Sequence, residues 1–293
     1  SILNSSVRQM FWAVVCFSLM NVAAKALPGI PVMEIVFFRC VVSIILSFWW
    51  LRRVSVSWRG SHTIQLLGRG LAGTTALYLF FLTIQKMPLA TAVTLGYTSP
   101  IFTAILAVIF LKEKMKPVQW LMFGVSFLGV LALKGFDERV SWLFLAMGLS
   151  AAFLSGVAYV LVRSLKDKEH PLVVVFYFQL VGTLVGGGFS LVNFKTPQGW
   201  EWALLLAIGL LAHFGQVFLT KAIQGEKVGV VSSLNFLGAI FATFFGWLLF
   251  HEKITLGNIA AMATVIAGVL MNIWLNAQGG KRLRRFVANL LTK

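Results

Sequence analysis

Tyrosine, histidine, glutamine and asparagine placed at helical spacing inside apolar stretches are the residues of this sequence best suited to chemistry. His213, Gln216 and Thr220 follow one another at steps of three and four residues, and Thr74, Tyr78 and Gln85 at steps of four and seven. On a helix each set falls on one face. Asn21, Thr94, Tyr97, Tyr159 and Asn235 add single polar groups to other apolar stretches. Such faces offer hydrogen-bond donors and acceptors to a polar solute. Polar groups are costly in hydrocarbon, so they are expected to face protein or a wet cavity. For a lone Ser or Thr, bonding between helices is the plainer use. Asn21, Thr74, Tyr78, Thr94, Tyr97, Tyr159, His213, Gln216 and Asn235 form the expected solute-binding set.

Covalent or metal chemistry has no comparable support. His251-Glu252 is followed by Lys-Ile-Thr, without the second histidine of a zinc-protease helix, and the four histidines are dispersed. A phosphate-binding loop and a dinucleotide fingerprint are absent from the sequence. The expectation is therefore no catalytic residue, no metal and no cofactor.

The charged residues narrow the solute. All nine acids lie near the ends of apolar stretches, whereas Lys25, Arg39, Arg69 and Lys221 enter them. A solute that is zwitterionic, anionic or neutral is expected, rather than a cation. Arg39 is expected to gate or bind, with a salt bridge or snorkelling as the alternative. Lys25 and Arg69 are close enough to the ends of their stretches to snorkel. Glu113 and Glu252 read as helix terminators. Pro100 closes the run G-Y-T-S-P in mid-stretch, where a proline removes a backbone hydrogen bond and frees the carbonyl of Gly96. Pro100, Gly96 and Gly238 are expected to shape a gate, although the position matching Pro100, Ala239, has no proline, so any break in the ninth span would rest on Asn235 and Gly238.

The elements that position these residues follow from composition. Of 293 residues, 59% are hydrophobic and 12% charged, and the mean hydropathy is +0.88. A soluble core of this size cannot bury so much apolar surface. Continuous apolar runs of about 20 residues predict membrane-spanning helices rather than barrel strands. Ten are predicted, near 8–26, 32–51, 64–84, 89–111, 117–134, 141–163, 171–192, 200–221, 228–250 and 255–275, and six of the seven prolines fall at or between their ends. The net charge of +16 reflects basic loops rather than nucleic-acid binding: 17 basic residues fall on the side of the N-terminus and 6 on the other. That asymmetry puts both termini in the cytoplasm. Residues 279–293 alternate basic and apolar positions as an amphipathic helix on the cytoplasmic leaflet would. Cys16 and Cys40 lie inside apolar runs and imply no disulfide framework.

The chain also repeats itself. With Leu111–Lys114 laid over Phe250–Lys253, residues 84–131 align without gaps on 223–270, and ten of 48 positions are identical. Helices 1–5 (residues 1–139) then recur as helices 6–10 (residues 140–278). Because five is odd, the second copy enters the membrane from the opposite face. The expected fold is all-α, with ten transmembrane helices as two inverted five-helix repeats, an arrangement that builds transporters.

These features resemble the EamA branch of the drug/metabolite transporter superfamily. The resemblance rests on the doubled five-helix unit, the L-K-E-K ending of helix 4 and the E-I-V-F-F-R run (Glu34–Arg39) opening helix 2, and covers roughly residues 8–275. It implies a carrier of amino acids or other small metabolites, often an exporter, with helices 1, 3, 4, 6, 8 and 9 around a central cavity. The expected protein is a monomeric secondary transporter in a bacterial inner membrane. It moves small polar or zwitterionic metabolites outward by alternating access, coupled to protons or a counter-substrate. Import or exchange of anionic metabolites is the alternative. A membrane enzyme or a channel is the alternative of a different class.

Overall fold

A computed structural model describes residues 2–110, 112, 117–136, 138–225 and 237–274. Among the described residues there are eleven α-helices and no strand. They are α1 (Ile2–Lys25), α2 (Val32–Arg53), α3 (Thr63–Lys86), α4 (Leu89–Gly96), α5 (Ser99–Phe110), α6 (Pro117–Phe136), α7 (Trp142–Ser164), α8 (Pro171–Ser190), α9 (Trp200–Gly225), α10 (Leu237–Phe250) and α11 (Leu256–Trp274). Among the described residues, six spans are long and apolar enough to cross a bilayer: α2, α3, α4 with α5, α7, α8 and α9. Broad outer faces carry exposed Ile45, Leu71, Leu121, Leu184, Leu206 and Ile240, a surface that suits lipid and not water.

Prolines set the starts of several helices. Pro31 and Pro88 precede α2 and α4, and Pro117 and Pro171 open α6 and α8. Their missing N–H falls where a helix has no partner for it. Two N-caps accept backbone donors: Ser141 from Phe144 and His170 Nδ1 from Leu172, each at 3.2 Å. Partial burial and the charge of Lys221 push the His170 pKa below its ordinary value, which favours the neutral ring that can accept this bond.

The predicted fourth span divides in two. After Gly96 the chain makes a turn at Tyr97 and Thr98, and α5 begins at Ser99 with Pro100 in its first turn. Thr98 closes the break, its hydroxyl and its N–H both donating to the Leu95 carbonyl, at 2.7 and 3.1 Å. The proline thus starts a new helix instead of bending an old one. Of the predicted ninth span, α10 covers Leu237–Phe250, and residues 226–236 lie outside the described residues. The basic tail at 279–293 lies outside them too.

The packing has a regular pattern. α1 lies along α9, and α7 along α3; α2 also packs on α9, and α8 on α3. α2 and α8 pack on each other, as do α6 and α11. Helix starts repeat at the spacing read from the sequence, with α8 at 171 against α2 at 32 and α11 at 256 against α6 at 117. Lys112 and His251, which correspond at that spacing, both adopt left-handed backbone, with φ of 54° and 51°. Each follows the helix that ends just before it.

Candidate functional site

A cavity of about 180 Å³ opens between α1, α2, α3, the α4–α5 break, α7, α8 and α9. Of the expected binding residues it brings together Asn21, Tyr97, Tyr159 and Gln216, and Gly96 also lines it. Ser99, at the start of α5, faces it, so the helix break opens onto the cavity. The Tyr97 ring spans from that break to α10, where its hydroxyl presses on Gly238. A Cβ at Gly238 would collide with that hydroxyl.

Other expected residues lie elsewhere. His213 is fully buried but faces α2: its Nδ1 lies 3.2 Å from the Ser47 hydroxyl and 3.5 Å from that of Ser43, and its ring packs near Trp50. The helical spacing from Gln216 was right, yet α2 fills the space in front of the histidine. Thr94 turns its hydroxyl back to the Ala90 carbonyl at 2.7 Å. Thr74 is buried toward Gly182 of α8, and Tyr78 packs against the edge of the apolar core. Pro100 sits in the first turn of α5 behind Ser99 and does not line the cavity. Asn235 lies outside the described residues.

The largest departure from the sequence expectation is in the basic residues. Arg69 does not snorkel; it is 3% exposed and lines the cavity, as does Arg39 at 1%. Both guanidinium groups lie against one ring, that of Phe178, with carbons 5.1 Å (Arg39) and 4.2 Å (Arg69) from its centroid. Each such contact contributes roughly 0.5–2 kcal/mol, more when water is excluded. Arg39 donates to Gln179 Oε1 at 3.3 Å, and Arg69 donates to Gln216 Oε1 at 3.1 Å. Among the described residues neither arginine has a carboxylate partner, and the Nε of each has no acceptor. Glu34 instead accepts from the backbone N–H of Lys195 at 2.9 Å. Gly73 makes the arrangement possible. A Cβ there would collide with the Arg69 guanidinium and approach Phe178 to 2.9 Å.

Phe178 carried no sequence signal, being an ordinary member of the apolar run of α8, whereas Gln179 is a polar residue in that run and could have been found as Gln216 was. A clue was available for Arg69. It stands in G-R-G-L-A-G, where small residues let a neighbouring helix approach and cover the arginine.

One end of the bundle is tied across its halves. Lys25 does not snorkel either; it pairs with Glu252 at 3.1 Å and donates to the carbonyls of Ile84 (2.9 Å) and Met87 (2.7 Å). Glu252 also accepts the N–H of Leu89, the first residue of α4, at 2.8 and 3.0 Å. At the other end, Glu169 accepts from the N–H groups of Ser61 (2.6 Å) and His62 (2.7 Å) and meets His62 Nδ1 at 3.1 Å. Among the described residues no cluster of His, Cys, Asp or Glu could hold a metal ion.

A membrane-spanning helical bundle whose interior cavity carries both apolar and polar side chains defines an integral multi-pass membrane protein, and comparison with known proteins places it more closely. The model of the EamA-like transporter family matches twice, over residues 6–134 and 141–274, and the chain belongs to that family. It is 33% identical to the pseudopaline exporter CntI of Pseudomonas aeruginosa, over 92% of this chain and 94% of that protein. It is 28% identical to mouse solute carrier family 35 member G1, over 90% and 77%. It is 27% identical to a riboflavin transporter of Rhizobium johnstonii, over 82% of each. A solved crystal structure, 16% identical, shares the fold with a TM-score of 0.71 over 94% of this chain and 99% of its own. The protein is therefore a transporter of small molecules and not an enzyme.

Proposed function

We propose that this protein is a monomeric secondary carrier that exports small polar metabolites, amino acids or related compounds, across a bacterial inner membrane. Ten spans form two inverted repeats, residues 1–139 and 140–278, with both termini cytoplasmic. The observation that carries the reading is the cavity itself. Its wall is drawn from α1, α2, α3 and α4–α5 of the first repeat and from α7, α8 and α9 of the second. A site shared by two exchangeable halves is what alternating access requires. The recurring helix starts, the paired left-handed residues Lys112 and His251 and the double family match support the repeat. The word exporter in the name of the relative from Pseudomonas aeruginosa supports the direction.

Rocking of the repeats would expose the cavity to each side in turn, with Lys25–Glu252 as the tie that must part at one end. Asn21, Tyr97, Tyr159 and Gln216 supply hydrogen bonds, and the gradient of a proton or counter-substrate supplies the driving force. A second reading, exchange of anionic metabolites, is favoured by Arg39 and Arg69 within the cavity.

Counterflow in proteoliposomes tests the mechanism. Vesicles loaded with unlabelled solute should transiently accumulate the labelled form, with uptake that saturates. Linear, unsaturable flux would identify a channel and overturn the carrier reading.

A further inference from the structure

The cavity holds two guanidinium groups with neutral partners. Arg39 bonds to the amide oxygen of Gln179 and Arg69 to that of Gln216, and both rest on the same Phe178 ring. Amides and a ring face accept hydrogen bonds or attract a cation, but they discharge nothing. Buried charges are ordinarily paired or bound to an ion. Guanidinium groups stay protonated in proteins and offer five donors each in a planar fork that matches a carboxylate. Here the Nε of each arginine has no acceptor, although both side chains are nearly inaccessible.

From this geometry we infer that the carrier's substrate is a small dicarboxylate, one carboxylate meeting Arg39 and the other Arg69. This deepens the second reading above, transport of anionic metabolites, in preference to neutral zwitterions, and rests on that reading's placing the solute in the central cavity. A monocarboxylate would leave one buried cation unmatched. A zwitterion would bring an ammonium group into a site already positive by two. An amino group is tolerated only away from the arginines, where the Asn21 Oδ1, buried and without a partner, could accept it. Two carboxylates cancel the charge of the site, and the solute can then be released once the cavity rewets on either side.

The test compares succinate with its monoamide succinamate, which has nearly the same shape and one charge fewer. Sulfate serves as a compact dianion. The full chain in detergent is heated at fixed pH and ionic strength, with chloride as the balancing anion. Succinate is expected to raise the unfolding temperature, with an apparent affinity at least tenfold above that of succinamate and of sulfate. Arg39→Gln and Arg69→Gln should each weaken the succinate effect at least tenfold. Arg39→Lys and Arg69→Lys keep the charge, guard against loss of folding and should fall between.

Equal protection by succinate and succinamate, or by sulfate and succinate, overturns the assignment, as does full protection in both Gln variants. Counterflow separates this inference from the carrier reading. Saturable counterflow of another solute without succinate binding sinks the dicarboxylate assignment alone. Succinate protection without saturable counterflow of any solute sinks the carrier reading and leaves the anion site standing.

Discussion

Gly129 of α6 and Gly268 of α11 make the same contact from opposite sides. A Cβ on Gly129 would come within 2.8 Å of the Val265 nitrogen and 3.1 Å of the Ala261 carbonyl oxygen. A Cβ on Gly268 would come within 2.9 Å of both the Ser126 nitrogen and the Met122 carbonyl oxygen. Residues 122, 126 and 129 stand to 261, 265 and 268 at one constant spacing, so the helix pair is related to itself by a local two-fold. Backbone blocks both positions, and neither can relieve the clash by turning a side chain. Gly129→Ala and Gly268→Ala should therefore each lower stability by about 1–3 kcal/mol, and by similar amounts. Thermal unfolding in detergent reads this directly. Strongly unequal effects would mean the two contacts are not equivalent.

Gly73 should prove important for flux more than for folding. Its hydrogen gives Arg69 the room to fold against Phe178. Gly73→Ala is expected to cut transport more than tenfold at matched membrane expression. Gly68→Ala is the control on the same helix, because a Cβ there meets only Leu161 Cδ1 at an ordinary 3.5 Å. Similar flux in the two variants would show that the seat of Arg69 does not govern transport.

Tyr97 and Gly238 should behave as a coupled pair. Gly238→Ala alone drives a methyl group into the tyrosine hydroxyl and should reduce flux several-fold. Removing that hydroxyl leaves Cζ as the nearest ring atom, at 3.2 Å, which a small shift can absorb. Tyr97→Phe should then restore part of the activity lost in Gly238→Ala, and a double-mutant cycle on flux measures the coupling. Additive losses would show that the contact is incidental.

His213 should matter for stability and little for transport. It bridges α9 to Ser43 and Ser47 of α2 and does not line the cavity. His213→Ala leaves those hydroxyls without this partner, at a cost of about 1–3 kcal/mol. Flux per folded molecule should stay within about twofold of the parent, by the correspondence of free energy and rate. A large loss of flux at full stability would return His213 to the site.

Much of the bundle was legible because apolar length and proline position are local properties. The helix starts at Val32, Pro117, Pro171 and Trp200 fall on the predicted residues, and a discontinuity near Pro100 was expected, though as a kink in one helix. Asn21, Tyr97, Tyr159 and Gln216 could be placed at an interior cavity because a polar residue in an apolar run has few places to go. The misassigned residues share one cause. Whether Arg69 reaches the lipid headgroups or the interior depends on how its helix is rotated and what lies beside it. Phe178 answers that from a helix more than 100 positions later in the chain. His213 fails in the opposite sense, since its helical face was right and the neighbour filling that face was not visible. Lys25 finds Glu252 only through the bundle's closure.

The carboxylate of Glu252 has two tasks, pairing with Lys25 and holding the first N–H of α4. Those tasks cannot be undone separately by any motion that withdraws the α10–α11 turn. In the proposed rocking, parting of that end would take the acceptor from the first N–H of α4, whose other end meets α5 through the Tyr97–Thr98 turn. An eight-residue helix joined to its neighbour by a turn at one end and held by a carboxylate at the other would swing as a lever. It carries Val93 and Gly96, with Tyr97 just beyond its end, along the cavity wall, so in the proposed mechanism the latch at the rim and the grip on the solute would be parts of one linkage.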